Sequence, residues 1–274
     1  MTTANLFNTS RIFKKFIKLA EKNLTKQPKT FTRMEASSNY TISKKGQDLY
    51  LVPKDGKHTE TLIFMHGLGD SAAGWFDIFM ESSMNIVLPT TKVVLLTAPI
   101  APVTINGGAK MTSWYDIKTL APKDEEFEKS IGAEEIEKNS ERITNVILEE
   151  MKLLGDDSKR IAIGGFSQGC GMALNVGLQF DKPLGAIIGW SGYLFPMTKF
   201  NAANEETPII LANGMSDNVV GFARAQKSFE RLDAGKHKLI SLKEKGLGHS
   251  INENVLKETR KFFASIFSNT GSKL

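Results

Sequence analysis

The chain has 274 residues, of which 41% are hydrophobic and 24% are charged, an ordinary globular composition. This composition excludes collagen-like, coiled-coil and wholly disordered chains. The sequence contains no run of about 18 apolar residues, which is the length that a helix needs to span a bilayer. The length allows one large domain or two small ones. A single cysteine, Cys170, excludes a disulfide framework and a cysteine-based zinc site.

The net charge of +5 is distributed unevenly along the chain. Residues 1–34 contain eight basic side chains and one acidic side chain, a balance of +7 that leaves −2 for the rest. The globular part is therefore near neutral, and its net charge gives no support for a nucleic-acid surface. We expect neither a nucleic-acid partner nor a bound metal.

Residues 1–38 are predicted to form a basic arm with an amphipathic helix from about Arg11 to Lys26. Apolar side chains recur there at helical spacing, lysines flank them, and Pro28 marks the latest end of the helix. Residues 11–26 could contact a membrane surface, bind a partner groove, serve as a mitochondrial transit peptide or pack on their own domain. Transit peptides favour arginine, whereas this arm favours lysine.

The last three residues, Ser272-Lys273-Leu274, match the peroxisomal address, although so short a match also arises by coincidence. The sequence leaves the location open between the peroxisome and the cytoplasm, with the mitochondrion as the alternative indicated by the basic arm. Removal of residues 1–34 in the mature protein would favour mitochondrial import, and their retention would favour the peroxisome or the cytosol.

Residues 39–270 are predicted to form one α/β domain. Short apolar runs typical of strands alternate with patterns typical of helices, and several runs lack the polar alternation of a half-exposed strand. The predicted strands are Thr61–Met65, Val93–Thr97, Arg160–Gly164, Ala186–Trp190, Pro208–Asn213 and Lys238–Leu242. The predicted helices are Gly74–Ser83, Ala133–Leu154, Gly169–Phe180, Phe222–Asp233 and Asn252–Phe267. This alternation predicts a doubly wound, mostly parallel sheet, with one or two antiparallel edge strands within Met34–Val52.

The stretch from Ala98 to Asp124 fits no regular element and is predicted to be a long loop. It contains three prolines and a Gly107-Gly108 pair, and it follows the predicted strand Val93–Thr97. Ligands of open α/β sheets bind beyond the carboxyl ends of the strands, so this loop is placed to cover a site.

Gly165-Phe166-Ser167-Gln168-Gly169 matches the G-x-S-x-G pattern, which is weak alone because three fixed positions recur by chance. Its context is more specific, because a predicted strand runs directly into the motif and a predicted helix follows it. A nucleophile elbow needs this strand–turn–helix arrangement to present its serine in a strained turn. Ser167 is therefore the candidate nucleophile; the alternative is a helix-capping serine in a tight turn.

Two histidines follow Ser167 in the chain and are candidates for the general base. His237 lies between two lysines, which oppose formation of an imidazolium, and it is expected to be exposed. His249 lies in a glycine-rich loop between the last predicted strand and helix, at the carboxyl end of the sheet, and is the candidate base. Asp217 lies in the loop after another strand and is the candidate acid that orients the imidazole; the alternative is a turn-forming aspartate.

Acyl transfer also requires N–H donors for the developing oxyanion. One is the backbone N–H of Gln168, which follows the nucleophile. The other is expected from the loop after an earlier strand, His66-Gly67-Leu68-Gly69-Asp70, whose glycines let the backbone turn inward. Leu68 is the candidate donor through its main chain, and His66 and Asp70 are expected to brace the loop.

These motifs together resemble the acyl-protein thioesterase, carboxylesterase and lysophospholipase family of α/β-hydrolases. The resemblance runs from about Thr61 to Phe267. The matching segments, in chain order, are Phe64–Asp70, Ala98–Thr104, Met111–Ile117, Gly164–Gly169 and Gly246–Ser250. The chain departs from the family at Asn213, where histidine is usual before the glycine, and at Cys170, where glycine is common.

The resemblance implies an α/β-hydrolase fold and assigns the site residues. The triad is Ser167, Asp217 and His249, and the oxyanion amides are those of Leu68 and Gln168. The irregular loop around Trp114 and Leu120 corresponds to the part of the family that flanks the acyl groove.

The resemblance also implies a reaction without a cofactor, the cleavage of thioesters of S-acylated proteins. One alternative is a carboxylesterase or lysophospholipase that acts on small or lipid esters. A second alternative is a non-catalytic scaffold that retained the hydrolase fold and docks through its basic helix. The predicted triad argues against the scaffold.

Overall fold

The computed structural model describes residues 39–119, 126–234 and 237–268. The predicted arm at residues 1–38, the candidate groove residue Leu120 and the C-terminal tripeptide lie outside the described residues. In the described part, helices pack on both faces of one central sheet.

Eight strands form the central sheet, and its mostly parallel, doubly wound character confirms the prediction. The strands are β1 (Tyr40–Lys45), β2 (Asp48–Pro53), β3 (Glu60–Met65), β4 (Thr91–Leu96), β7 (Ile161–Phe166), β8 (Ala186–Trp190), β9 (Ile209–Gly214) and β10 (Leu239–Glu244). Their spatial order is β1-β2-β4-β3-β7-β8-β9-β10. The six strands from β4 to β10 run parallel, whereas β1 and β2 form an antiparallel hairpin at one edge.

Five helices cover the two faces of the sheet. They are α1 (Ala72–Met80), α2 (Ala133–Leu153), α3 (Gln168–Gln179), α4 (Phe222–Ala234) and α5 (Glu253–Phe267). The helices α1 and α5 pack on one face, and α2, α3 and α4 pack on the other. Among the residues that the structure describes, no helix combines the length and apolar character needed to cross a bilayer.

The central strands are continuously apolar because both of their faces are covered. In β3, Ile63 and Met65 point to the layer of α2, α3 and α4, whereas Leu62 and Phe64 point to the layer of α1 and α5. Each predicted strand and helix overlaps an observed one, with ends that differ by up to three residues. Local sequence pattern therefore sufficed for these elements.

The prediction that Ala98–Asp124 contains no regular element was wrong. Two short strands, β5 (Ile100–Val103) and β6 (Ala109–Thr112), form an antiparallel hairpin outside the central sheet. Gly107 and Gly108 have positive φ and supply its turn. Both strands have only four residues and are largely exposed; β5 contains Pro102, which counts against a strand, and β6 has no continuous apolar run.

The prediction that His237 is exposed was also wrong, because only 9% of this residue is accessible. Its ring packs edge-on against Phe200, with ring centroids 5.2 Å apart. Its backbone N–H donates to the carbonyl of Leu232 at 3.2 Å. Packing at the end of α4 thus overrides the exposure that two flanking lysines indicated.

Candidate active site

Ser167 lies at the turn between β7 and α3, where the sequence predicted an elbow. Its backbone has φ 56° and ψ −115°, a conformation that is strained for any residue with a side chain. The N–H of Ser167 donates to the carbonyl of Trp190 at 2.8 Å. A Cβ atom on Gly165 would collide with the backbone of Gly169, so the tight turn requires the glycines of the motif.

The structure brings the three predicted triad residues into one hydrogen-bonded row. His249 Nε2 lies 2.9 Å from Ser167 Oγ, and His249 Nδ1 lies 2.8 Å from Asp217 Oδ2. His249 is 82 positions from Ser167 and 32 from Asp217. The three residues meet because β7, β9 and β10 end at the same edge of the parallel sheet.

Asp217 is held in its ionised form by the groups around it. Burial by itself would raise the pKa of this carboxyl, but the hydrogen bond and charge of His249 act in the opposite direction. The backbone N–H groups of Val219 and Val220 also donate to Oδ1, at 2.8 and 3.1 Å. The net result is a lowered pKa, so the carboxylate can hold the Nδ1 proton of His249.

His249 is shielded from water and fixed by its neighbours. Its side chain is 7% exposed and that of Asp217 is 1% exposed, which strengthens the interaction between them. The ring of Phe166 lies 4.9 Å from the imidazole, centroid to centroid. The hydroxyl of Ser191 donates to the carbonyl of Ser250 at 3.0 Å and so ties down the loop that carries His249.

The two predicted oxyanion amides belong to chain segments that adjoin Ser167. Gln168 is the first residue of α3, where the helix leaves its N–H groups without intrahelical acceptors. A Cβ atom on Gly67 would lie 3.2 Å from Ser167 Cβ, so the loop that carries Leu68 runs directly beside the serine. Within the described ranges, neither the Leu68 nor the Gln168 N–H donates to a protein carbonyl. Both amides therefore remain available to a bound oxyanion.

The β5–β6 hairpin supports the loop of Leu68. The N–H of Gly69 donates to the carbonyl of Thr112 at 2.8 Å, and the Thr112 hydroxyl donates to the carbonyl of Asp70 at 2.5 Å. The Asp70 carboxylate in turn accepts the N–H of Ser71 at 2.8 Å. The hairpin lies in the segment for which the sequence predicted no regular element. It therefore supports the loop that carries Leu68, the predicted oxyanion donor.

His66 is buried and bridges two backbone groups. Its Nε2 accepts the N–H of Ala98 at 2.9 Å, and its Nδ1 donates to the carbonyl of Gly67 at 2.6 Å. Desolvation by burial lowers the pKa of His66 to about 4, so the ring is neutral at ordinary pH. These contacts are of the kind expected of a brace, because both ring nitrogens bond to backbone groups.

The side chain of Gln168 is a site feature that sequence reasoning missed. Its Nε2 donates to the carbonyl of Tyr115 at 2.7 Å, and its Oε1 accepts the N–H of Trp114 at 3.0 Å. The amide thereby fastens the chain after β6 to the start of α3. Nothing in the local spacing indicates this contact, because the partners lie more than 50 positions away.

Trp114 lies in the interior and not along an open groove. Its side chain is 0% exposed, its indole N–H donates to the carbonyl of His66 at 2.8 Å, and its ring lies 5.4 Å from that of His66. The assignment of Trp114 to the acyl groove therefore lacks support, because a fully buried ring offers no surface to a ligand. Leu120, its predicted companion, lies outside the described residues.

Asn213 occupies the position where the family usually has histidine. It is buried at the end of β9, and its Nδ2 donates to the carbonyl of Gly192 at 3.2 Å. The departure leaves Asp217 in reach of His249. Over the described ranges, no three His, Cys, Asp or Glu side chains converge as a metal site would require.

The sheet and the three side chains at its edge together identify a class of enzyme fold. A mostly parallel sheet that presents a serine at a strained strand–helix turn, with an aspartate and a histidine from later loops, is the arrangement of α/β-hydrolases. A hydroxyl, an imidazole and a carboxylate in this order can carry out nucleophilic acyl transfer.

Comparison with known proteins places the chain more narrowly. The model of the phospholipase/carboxylesterase family matches residues 47–267, and the chain belongs to that family. It is 39% identical over 175 residues to acyl-protein thioesterase 1 of Yarrowia lipolytica, covering 62% of this chain and 75% of that protein. It is 35% identical over 218 residues to acyl-protein thioesterase 1 homolog 1 of Dictyostelium discoideum, covering 78% of this chain and 94% of that protein.

Solved structures agree with this placement. The crystal structure of Arabidopsis thaliana SOBER1 matches with a TM-score of 0.65 and 27% identity, covering 75% of this chain and 98% of that one. That of Zea mays acyl-protein thioesterase 2 matches with a TM-score of 0.64 and 25% identity, covering 81% and 99%. The α/β-hydrolase fold and the family expected from the motifs are thus confirmed.

Proposed function

We propose that this chain is a serine hydrolase that cleaves acyl thioesters or esters through an acyl-enzyme intermediate. The observation that carries the proposal is the row formed by Asp217, His249 and Ser167, with contacts of 2.8 and 2.9 Å. In the first step, His249 Nε2 takes the hydroxyl proton as Ser167 Oγ attacks the carbonyl carbon. Asp217 holds Nδ1–H and stabilises the imidazolium that forms.

The tetrahedral intermediate carries its negative charge on the former carbonyl oxygen. The N–H groups of Leu68 and Gln168 are the proposed donors to this oxygen, and such a donor contributes about 3–4 kcal/mol in comparable sites. Collapse of the intermediate expels the thiol or alcohol, which receives its proton from His249. Water activated by His249 then attacks the acyl-enzyme and releases the carboxylic acid and Ser167.

We further propose S-acylated proteins as the substrate class. Support comes from the relatives, two of which are named acyl-protein thioesterases and are 39% and 35% identical to this chain. The family description, phospholipase/carboxylesterase, supports a second candidate, the hydrolysis of lipid or small esters. Specificity constants measured on a palmitoyl-thioester peptide, a lysophospholipid and a short p-nitrophenyl ester discriminate between them. A clear preference for the thioester peptide is expected.

We propose that the basic arm brings the hydrolase to anionic membrane, where acylated substrates reside. Support comes from the +7 balance of residues 1–34 and from the amphipathic pattern of residues 11–26. The full chain should sediment with phosphatidylserine vesicles at low salt and less at high salt. Replacement of four arm lysines by glutamine should weaken sedimentation; these are Lys14, Lys15, Lys18 and Lys22. The peroxisomal and mitochondrial alternatives stay predictions.

The nucleophile is tested by Ser167→Ala. We expect this variant to lose hydrolysis of a p-nitrophenyl ester and labelling by a fluorophosphonate probe while its thermal unfolding stays cooperative. The control is Ser216→Ala, at an exposed serine of the same sheet edge, which should keep both ester hydrolysis and labelling by the probe. Hydrolysis retained by the Ser167→Ala variant would overturn the assignment. A wild-type chain that takes no label would favour the non-catalytic scaffold.

A further inference from the structure

The proposed oxyanion donor of Leu68 belongs to a peptide group whose other end is already hydrogen-bonded. The Leu68 N–H and the Gly67 carbonyl are the two ends of one conjugated peptide unit. A hydrogen bond donated to the carbonyl end polarises the unit and makes its N–H a stronger donor. His66 Nδ1 lies 2.6 Å from that carbonyl oxygen.

The tautomer of His66 is determined by its second contact. The Ala98 N–H can only donate, so His66 Nε2, 2.9 Å away, must accept and carries no proton. In a neutral imidazole the proton is then on Nδ1, where it is donated to Gly67. His66 thus relays polarisation from the Ala98 N–H to the Gly67–Leu68 peptide.

The same arrangement recurs one step further from the site. The Ala98 N–H shares a peptide unit with the Thr97 carbonyl, and that carbonyl accepts a 2.9 Å hydrogen bond from Arg142 Nη1. The donor is a permanent cation, so it polarises the Thr97–Ala98 peptide more than a neutral donor would. Arg142 lies on α2, which has no other role in the site described above.

Arg142 is itself fixed in position by Asp48. Its Nη2 lies 2.8 Å from each carboxylate oxygen of Asp48, and Asp48 Oδ1 also accepts the Thr97 N–H at 2.8 Å. The guanidinium carbon lies 5.8 Å from the centre of the Trp114 ring. The carboxylate therefore holds both the cation and the strand end that the cation contacts.

We propose that Arg142 is a positioning residue for catalysis, which acts on the oxyanion through the row Arg142, Thr97–Ala98, His66 and Gly67–Leu68. Every hydrogen bond in this row is donated in the same direction, from the cation towards the Leu68 N–H. The row both fixes the loop of Leu68 and strengthens its N–H as a donor when the oxyanion forms. This inference rests on the proposed hydrolase function.

The chain offers a matched control at the opposite end of the same elements. Lys92 on β4 and Glu150 on α2 form a 2.6 Å ion pair whose side chains are 9% and 4% exposed. Like the pair of Arg142 and Asp48, it joins α2 to the sheet. It lies near the amino ends of the strands, beside Thr61, and contacts none of the proposed catalytic groups.

The first experiment compares Arg142→Ala with Lys92→Met in the full-length chain. For Arg142→Ala we expect kcat on a p-nitrophenyl ester to fall about tenfold with KM nearly unchanged, because complete removal of an oxyanion donor costs about 10²–10³-fold. The affinity for an arylboronic acid, whose serine adduct places an oxygen where the oxyanion forms, should fall by a similar factor. For Lys92→Met, the kcat and the boronic-acid affinity of the folded fraction should both equal those of the wild type.

The second experiment is chemical rescue, because a cavity of about 390 Å³ lies against Arg142 and is lined also by Asp48, Thr97, Ala98 and Asn139. Free guanidinium at millimolar concentration should restore part of the lost kcat in Arg142→Ala, whereas urea of similar shape should not. Asp48→Asn should reproduce the effect more weakly, and Arg142→Lys should retain more activity than Arg142→Ala. These two variants also test the proposal where the alanine variant folds poorly.

The outcomes separate this inference from the proposed function. An active wild-type enzyme whose kcat and boronate affinity are unchanged in Arg142→Ala, or equally reduced in Lys92→Met, would overturn the role of Arg142. A wild-type chain that neither hydrolyses esters nor binds the boronate would overturn the proposed function, and with it the inference. Loss of activity that guanidinium restores would support both.

Discussion

Gly169 lies so close to the carbonyl oxygen of Met65 that a Cβ atom on the glycine would overlap that oxygen. The first turn of α3 therefore rests directly on the carboxyl end of β3. This contact holds the segment that carries the Gln168 N–H against the strand that leads into the loop of Leu68. The second glycine of the elbow motif is thus needed for the spacing between the two proposed oxyanion donors.

Replacement of Gly169 by alanine should destabilise the fold, although alanine is the better helix former. Overpacking of this kind costs about 1–3 kcal/mol, which exceeds the gain of about 1 kcal/mol in helix propensity. Urea unfolding measures the change, and kcat should fall because the serine turn must shift. Gln179→Ala, at an exposed position of the same helix, is the control and should be nearly neutral. Equal stability of the two variants would contradict the packing argument.

Replacement of Asp217 by asparagine should lower kcat by about 10⁴-fold while the fold is kept, because the imidazole then adopts the wrong tautomer. The carboxyl of Asp217 has a pKa below its usual 3.8, so its ionisation stabilises the folded state above that pH and the contribution is lost in acid. The difference in unfolding free energy between wild type and variant should therefore shrink as the pH falls below about 4. Urea titrations from pH 3 to 7 test this trend.

The buried His66 predicts a loss of stability in mild acid. Its pKa falls from 6.5 to about 4 on folding, so the unfolded chain binds a proton first as the pH decreases. The contribution of His66 to the free energy of unfolding should be fully present above pH 6.5 and decline towards pH 4. The total loss should be about 3 kcal/mol, at about 1.4 kcal/mol per pH unit. His58, whose pKa is also lowered to about 4, contributes in the same direction.

The contribution of His66 to the loss of stability in acid is isolated by measuring urea unfolding in a His58→Gln background. Addition of His66→Gln should flatten the decline in unfolding free energy between pH 6.5 and 4. A slope that is unchanged by the second substitution would show that other groups cause the acid sensitivity.

Substitution of Lys92 or Glu150, which form a buried ion pair, should lower the stability of the fold without lowering kcat. Removal of one partner leaves a buried charge uncompensated and costs about 3–5 kcal/mol. The Thr61 hydroxyl, which donates to Glu150 at 3.1 Å, only partly compensates. The double variant Lys92→Met with Glu150→Leu should recover most of the loss, because an apolar pair of similar volume fills the space. Thermal unfolding of the three variants tests this, and the double variant should keep wild-type kcat.

The central strands and the helices could be predicted because each is encoded locally. Continuous apolar runs such as Ile161–Phe166 are typical of strands covered on both faces, and amphipathic spacing such as that of Ala133–Leu153 is typical of helices. The β5–β6 hairpin could not be predicted, because its four-residue strands are short and exposed, and Pro102 in β5 counts against a strand. It depends instead on two glycines with positive φ and on contacts with the loop of Leu68.

The chemical groups of the site could be derived from the sequence: a serine in a strand–turn–helix motif, followed by Asp217 and His249 in loops at strand ends. Their order along the chain and the direction of parallel strands suffice to bring them to one edge. Which side chains support them depends on the packing of the folded chain. Trp114 lies in the core, His237 is buried, and Arg142 donates to the Thr97 carbonyl 45 positions away. Such contacts depend on how helices pack on the sheet, and that packing is set by the whole chain rather than by any local pattern.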